Sequence, residues 1–315
     1  MKKSLAQHFF PRKEVTTTRN TDILTACHPA LSFLYFALVI AFSMGLMNPV
    51  CLGISLVCAA LYLSSLRGGA AIKKSLCYLL PAELLAVAVS AAFNHAGGTT
   101  LLYLPSGNPL TLESILYGAG TALMLAAALM WFSCCHAVMS TDKFVCLFGR
   151  VIPALSLVLS MSLRFVPRFA AQFKAAAEAQ RACGRDLSQG PLLSRLRHAA
   201  AVSSIVVTWS LDNAIETADS MKSRGYGLPG RSAFSIYRFE ARDRALLAWL
   251  IFCGLYVASG WAAGGLYFRY YPTVKWGAAG PLEASFYLCY LALGLTPVIL
   301  NYLEARKWRR FTSKA

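Results

Sequence analysis

The amino-acid sequence predicts an all-α polytopic membrane protein, and three observations carry that prediction. Only 14% of the 315 residues are charged and 57% are apolar, whereas a typical soluble domain carries about 25% charged residues. The apolar residues gather into runs of about 20, the length a helix needs to cross a bilayer. Basic residues flank those runs in the manner of topology determinants.

The elements follow in chain order. Residues 1–30 open with "MKKSLAQHFFPRKEVTTTRN", which is basic but holds no apolar core of signal-peptide length. They read as a cytoplasmic N-terminal leader. Four apolar runs come next, at about 31–47, 49–66, 76–93 and 115–138, making 31–138 a transmembrane region. The first two form a tight hairpin around Asn48 and Pro49. Residues 139–244 are predicted to be a cytoplasmic or interfacial insert. Within it "VIPALSLVLSMSL" at 151–163 is apolar but short and runs into "RFVPRF", so an interfacial or partly inserted segment is expected. Two further spans, at about 245–265 and 284–303, occupy 245–303, and 304–315 is a basic cytoplasmic tail. The expected total is about six spans, with five to seven as the bounds.

Counting Lys and Arg fixes the expected sidedness. With the N-terminus inside and six spans, 28 of the 30 basic residues fall on the cytoplasmic side, and only Arg269 and Lys275 fall outside. The positive-inside rule therefore places both termini and the whole 139–244 insert in the cytoplasm.

The same residues exclude several classes of function. A net charge of +16 would suggest nucleic acid in a soluble protein, but no basic-aromatic binding module is present. Among the ten cysteines, Cys51, Cys58, Cys77, Cys134, Cys135, Cys253 and Cys289 lie in apolar stretches, where cysteine acts as a small hydrophobe. Cys134, Cys135 and His136 are consecutive, so on a helix they point different ways and make no metal site. An ion-coupled carrier needs ionisable groups or broken helices at mid-membrane. The candidates are His136 and Glu83, near Pro81. Glu83 reads as lying near the interface or satisfying a local backbone group.

The insert carries two long helical patterns. The first spans about 151–182, with Phe165, Phe169 and Phe173 forming a stripe and Arg164 and Arg168 on a neighbouring face. Pro153 and Pro167 imply a break or kink, and Gly184 a stop. The second spans about 200–224. Its apolar side is Ile205, Val206 and Trp209, and Asp212, Glu216 and Asp219 form an acidic stripe. That stripe is either a solvated face or the partner of Arg164 and Arg168, which could instead meet lipid headgroups. Lys222 and Arg224 fall in the last turn, before Gly225. "EAQRACGRD" at 178–186 and "DSMKSRGYG" at 219–227 thus both end a long helix on a basic residue and a glycine, 41 residues apart. The insert holds no GxxxxGK[ST], no HExxH and no GxSxG, and "GLPGR" at 227–231 makes no phosphate cradle.

On "DKFVCLFGRVIPALSLVLSMSLRFVPRF" at 142–169, "EAQRACGRD" at 178–186 and "ETADSMKSRGYG" at 216–227, the chain resembles the transmembrane T component of energy-coupling factor (ECF) transporters. The resemblance implies a subunit of the bacterial or archaeal cytoplasmic membrane that is not itself an enzyme and binds no cofactor. Two ABC-type ATPases, carrying ATP and Mg, would dock on two coupling helices. A membrane S subunit would bind the micronutrient, a vitamin or metal ion. The first coupling motif corresponds to Arg181, Ala182, Cys183, Gly184 and Arg185, and the second to Ser223, Arg224, Gly225, Tyr226 and Gly227. Arg164, Pro167, Arg168, Glu178, Glu216 and Asp219 would support them. The family commonly reads Ala-Arg-Gly at the first motif, so Cys183 stands where an arginine is expected and Arg224 becomes the main anchor. The alternatives are a permease subunit of another ATP-driven transporter, or a membrane-embedded enzyme.

Overall fold

The computed structural model describes residues 22–94, 97–103, 109–149, 153–186, 191–228, 239–276 and 280–312. Most of the expected leader, the end of "GLPGR" and the last three residues of the tail lie outside the described residues. The helices are α1 (Ile23–Ala26), α2 (Pro29–Gly45), α3 (Pro49–Arg67), α4 (Gly69–Phe93), α5 (Leu112–Val138), α6 (Thr141–Gly149), α7 (Pro153–Ala182), α8 (Leu192–Ser223), α9 (Ala241–Ala262) and α10 (Pro281–Thr312). Five of them, α3, α4, α5, α9 and α10, are long and apolar enough to cross a membrane. All six expected runs are helical, but α2 has only 17 residues, a rise of about 26 Å. The chain is an all-α, multi-pass membrane protein.

Local chemistry sets the helix starts. Proline opens both α2 and α3, where its missing N–H costs nothing. His28 Nδ1 accepts from Ala30 N–H at 3.2 Å and Asn48 Oδ1 from Val50 N–H at 3.0 Å, capping the two helices. Between α3 and α4 stands only Gly68, at φ +82°, a left-handed turn that favours glycine. The stretch between the expected runs 49–66 and 76–93 is therefore helical except at Gly68. Lys73 and Lys74 ride the first turns of α4, where long stems can carry a charge outward along apolar surface. Two short antiparallel pairs were not foreseen: β1 (Thr100–Tyr103) with β2 (Pro109–Thr111), and β3 (Phe268–Arg269) with β4 (Lys275–Trp276).

The chain divides into two compact units, Met1–Ser140 with Tyr237–Ala315, and Thr141–Ile236. In the first, Tyr35, Tyr62, Trp131 and Tyr290 are buried with their polar tips inside. Polar groups without water need internal partners. Trp131 donates to Ser55 Oγ at 2.9 Å and Tyr35 to Gly294 O at 3.1 Å. Asp22 accepts from Tyr62 at 2.8 Å and from Asn301, tying the chain before α2 to α3 and α10. Far along the same unit, Asn94 donates to Tyr271 at 2.7 Å and Tyr270 to Met47 O at 2.9 Å, linking three connecting loops.

The second unit is α6, α7 and α8. Helix α7 is continuous from Pro153 and passes through Pro167 without a break. Helix α8 begins at Leu192, eight residues earlier than the apolar pattern indicated. Its first turns, "LLSRLRHAAA", are good helix formers, and Pro191 occupies the extended N-cap position. Phe165 stacks on Phe169 at 5.7 Å, and Phe169 meets Trp209 edge to face at 6.0 Å. Ala176 and Val202 are the buried aliphatic residues of this pairing.

Candidate functional site

The two motif-bearing helix ends are built alike. At the end of α7, Gly184 has φ +81°, its N–H donates to Arg181 O at 3.0 Å, and Arg185 N–H donates to Gln180 O at 2.9 Å. At the end of α8, Gly225 has φ +77°, its N–H donates to Lys222 O at 2.9 Å, and Tyr226 N–H donates to Met221 O at 3.0 Å. Both are Schellman caps, in which a glycine supplies the left-handed residue and two N–H groups satisfy the last carbonyls. The caps align the motifs residue for residue. Ala182 matches Ser223, Cys183 matches Arg224, Gly184 matches Gly225, and Arg185 matches Tyr226. Gly227 adds a second left-handed glycine, at φ +94°, after the α8 cap.

The same backbone presents different chemistry at each end. Cys183 and Arg224 both occupy the C-cap position and both are exposed. At the α7 end the charge sits to either side, on Arg181 and Arg185. Arg181 Nε lies 3.5 Å from Asp186 Oδ2, so part of that charge is already neutralised. Arg224 makes no ion pair among the described residues. Its guanidinium is an outward-facing cation on a fixed helix end.

The supporting residues separate from one another. Glu178 forms an exposed i,i+4 pair with Lys174 at 3.9 Å, and Pro167 lies inside α7. Arg164, Arg168, Asp212, Glu216 and Asp219 are all exposed, and among the described residues no ion pair joins the two arginines to the three acids. The acidic stripe is an exposed face of α8. The apolar side expected from Ile205, Val206 and Trp209 also needs correction. Trp209 meets α7, but Ile205 is exposed. A second apolar row, missed in the sequence, runs through Leu196, Ala200, Val207, Leu211 and Ile215 and is exposed throughout. Its signal was the spacing of four from Val207 to Leu211 to Ile215, which the neighbouring acids obscured.

Both helices run on beyond the Phe169–Trp209 ring contact. From Phe169 to Ala182 and from Trp209 to Ser223 each runs on for about 20 Å at 1.5 Å per residue, a tip separation of up to about 40 Å.

No family model matches the chain. Among curated proteins it is similar to several named energy-coupling factor transporter transmembrane protein. It is 32% identical to that of Lactobacillus helveticus over 106 residues, 33% of this chain and 38% of the relative. It is 35% identical to that of Exiguobacterium sibiricum over 102 residues, 32% and 39% of the two chains. With that of Bacillus selenitireducens it shares 27% over 183 residues, 55% and 68% of the two. The chain spans about two fifths of the length of the first two relatives.

Proposed function

The chain is a relative of the energy-coupling factor transporter transmembrane proteins, and from that premise we propose that it is the T component of an ECF-type importer in a bacterial or archaeal cytoplasmic membrane. Residues 139–244 face the cytoplasm in this reading, and two ABC-type ATPases, which carry the ATP and Mg, dock on the ends of α7 and α8. A membrane S subunit binds the micronutrient. This chain performs no chemistry and transmits the ATPases' motion.

The observation that carries the reading is the matched pair of capped helix ends, each exposed and basic, each about 20 Å beyond the Phe169–Trp209 contact. A rigid helix end moves as a unit with whatever grips it, and a guanidinium engages carboxylates and carbonyls in fixed geometry. The exposed row Leu196–Ala200–Val207–Leu211–Ile215 supplies an apolar surface through which movement of α8 can reach a membrane partner.

The test is purification of the tagged chain from its own membranes in mild detergent. Two ATPase subunits and a small hydrophobic subunit should co-elute in fixed ratio, with ATP hydrolysis in the eluate. ATPases without any small subunit would instead favour a permease of another ATP-driven transporter. A chain that elutes alone would refute both.

A further inference from the structure

We propose that the first turns of α8 rest on an anionic lipid surface, with Leu192 and Leu193 entering the acyl region and Arg195 and Arg197 meeting lipid phosphates. The inference rests on the T-component reading, which sets residues 139–244 at the cytoplasmic face. Leu192, Leu193 and Leu196 are 76%, 76% and 66% exposed, so three large apolar side chains stand open at one helix start. At about 100° per residue, Leu192, Leu196, Ala200 and Leu193 fall within an arc of about 100°. Arg195 lies about 60° outside one edge of that arc and Arg197 about 40° outside the other, and both are exposed. Ser194 and His198 occupy the opposite side.

Charge is segregated along the same helix. No Asp or Glu precedes Asp212 in α8. Asp212, Glu216 and Asp219 begin about 30 Å beyond Leu192 and lie on the side away from the leucine arc. An apolar arc bordered on both edges by guanidinium groups matches a layered medium, hydrocarbon beneath a sheet of phosphates, and helices of that pattern lie in the membrane interface. The arginine stems cover apolar surface while their heads stay at headgroup level, where the planar fork binds phosphate oxygens. A membrane-spanning helix of another subunit would cover the leucines but leave two flanking cations without counter-charge at hydrocarbon depth. An anionic leaflet attracts this end of α8, and it would repel the acidic half. The lipid contact therefore belongs to the first turns, ahead of the stretch through Val207, Leu211 and Ile215.

The experiment uses the full-length chain, alone and with its co-purified partners, in nanodiscs of phosphatidylcholine or of equal parts phosphatidylcholine and phosphatidylglycerol. A photo-crosslinking residue at Leu192 or Leu193 should form lipid adducts in the anionic discs, and one at Glu216, exposed on the other side of α8, should not. Arg195→Gln together with Arg197→Gln should lower the ratio of adduct to unmodified chain by about 5- to 25-fold, since each basic residue near an anionic surface contributes about fivefold. Lysine at both positions should keep most of the adduct, and thermal melting checks that each variant is folded. The wild type in phosphatidylcholine alone should behave like the glutamine variant. Adducts to a partner subunit or a second copy in place of lipid, or yields indifferent to lipid charge and to glutamine, overturn the proposal and leave the T-component reading intact. That reading is overturned by a different result, the tagged chain eluting without ATPases.

Discussion

Replacing Arg224 by alanine separates docking from folding, because its side chain has no partner among the described residues. It is exposed and makes no intrachain ion pair among the described residues. The cap it sits in is held by backbone groups: Arg224 N–H to Ser220 O at 3.3 Å, and the N–H groups of Gly225 and Tyr226 to Lys222 O and Met221 O. Alanine keeps all three. A surface change of this kind alters stability by less than about 0.5 kcal/mol. If the guanidinium is gripped by an ATPase, the loss at the interface is about 2–5 kcal/mol, or about 30-fold to several thousand-fold in affinity. The assay is a titration of purified ATPases onto the chain in lipid nanodiscs, with thermal melting of each variant as the folding control. Arg224→Lys should recover only part of the loss, since an ammonium keeps the charge without the planar fork. Unchanged ATPase affinity in the alanine variant would refute the assignment of this helix end as an anchor.

Three further outcomes follow from the same geometry. Cys183→Arg restores at the α7 cap the side chain that Arg224 supplies at the α8 cap, and one added charge-assisted hydrogen bond should tighten ATPase titration by about tenfold; no change would mean that this cap residue touches no partner. Trp209→Ala removes the edge-to-face contact with Phe169, worth about 0.5–1.5 kcal/mol beyond burial, and hydrogen exchange should quicken around 165–176 and 202–209 while α3 and α5 keep their protection. Gly260→Ala places a methyl 2.7 Å from the Phe286 ring, an overpacking cost of about 1–3 kcal/mol. Gly53→Ala, with nothing within 4 Å, should instead gain up to about 1 kcal/mol of helix propensity. Melting in detergent should order the two variants on opposite sides of the wild type.

Residues whose signal is local were legible in the sequence. Gly184 and Gly225 announce helix stops because a left-handed residue favours glycine, and both adopt positive φ. The six apolar runs were legible because lipid demands length and composition together. Features set by packing were not. The start of α8 at Leu192 was missed because its first turns pack against no neighbour, although Pro191 before it is a helix-start signal. The sequence could not tell which apolar row of α8 meets α7, and it favoured Ile205, which is exposed. The start of α4 at Gly69 was hidden in the same way, by the charges of Lys73 and Lys74.

The shared cap is not sufficient to mark both ends as docking sites, as a third helix end shows. At the end of α9, Gly264 has φ +77°, its N–H donates to Trp261 O at 3.1 Å, and Gly265 N–H donates to Gly260 O at 3.0 Å. This is the same Schellman cap, set among Ala262, Ala263 and Gly265, with no charged residue at any matching position. The cap therefore stops a helix and fixes the direction of whatever its C-cap residue carries; it does not by itself specify a partner. Specificity must come from the side chain at that position, which is alanine in α9, cysteine in α7 and arginine in α8. If these ends dock ATPases as proposed, the α8 end is the stronger anchor of the two. The α7 end can bind only through Arg181 and Arg185, with Arg181 partly held by Asp186. Two ATPases gripping these ends would consequently meet them with unequal strength, and raising salt should release the α7 contact first, because its charges are flanking and already part-compensated.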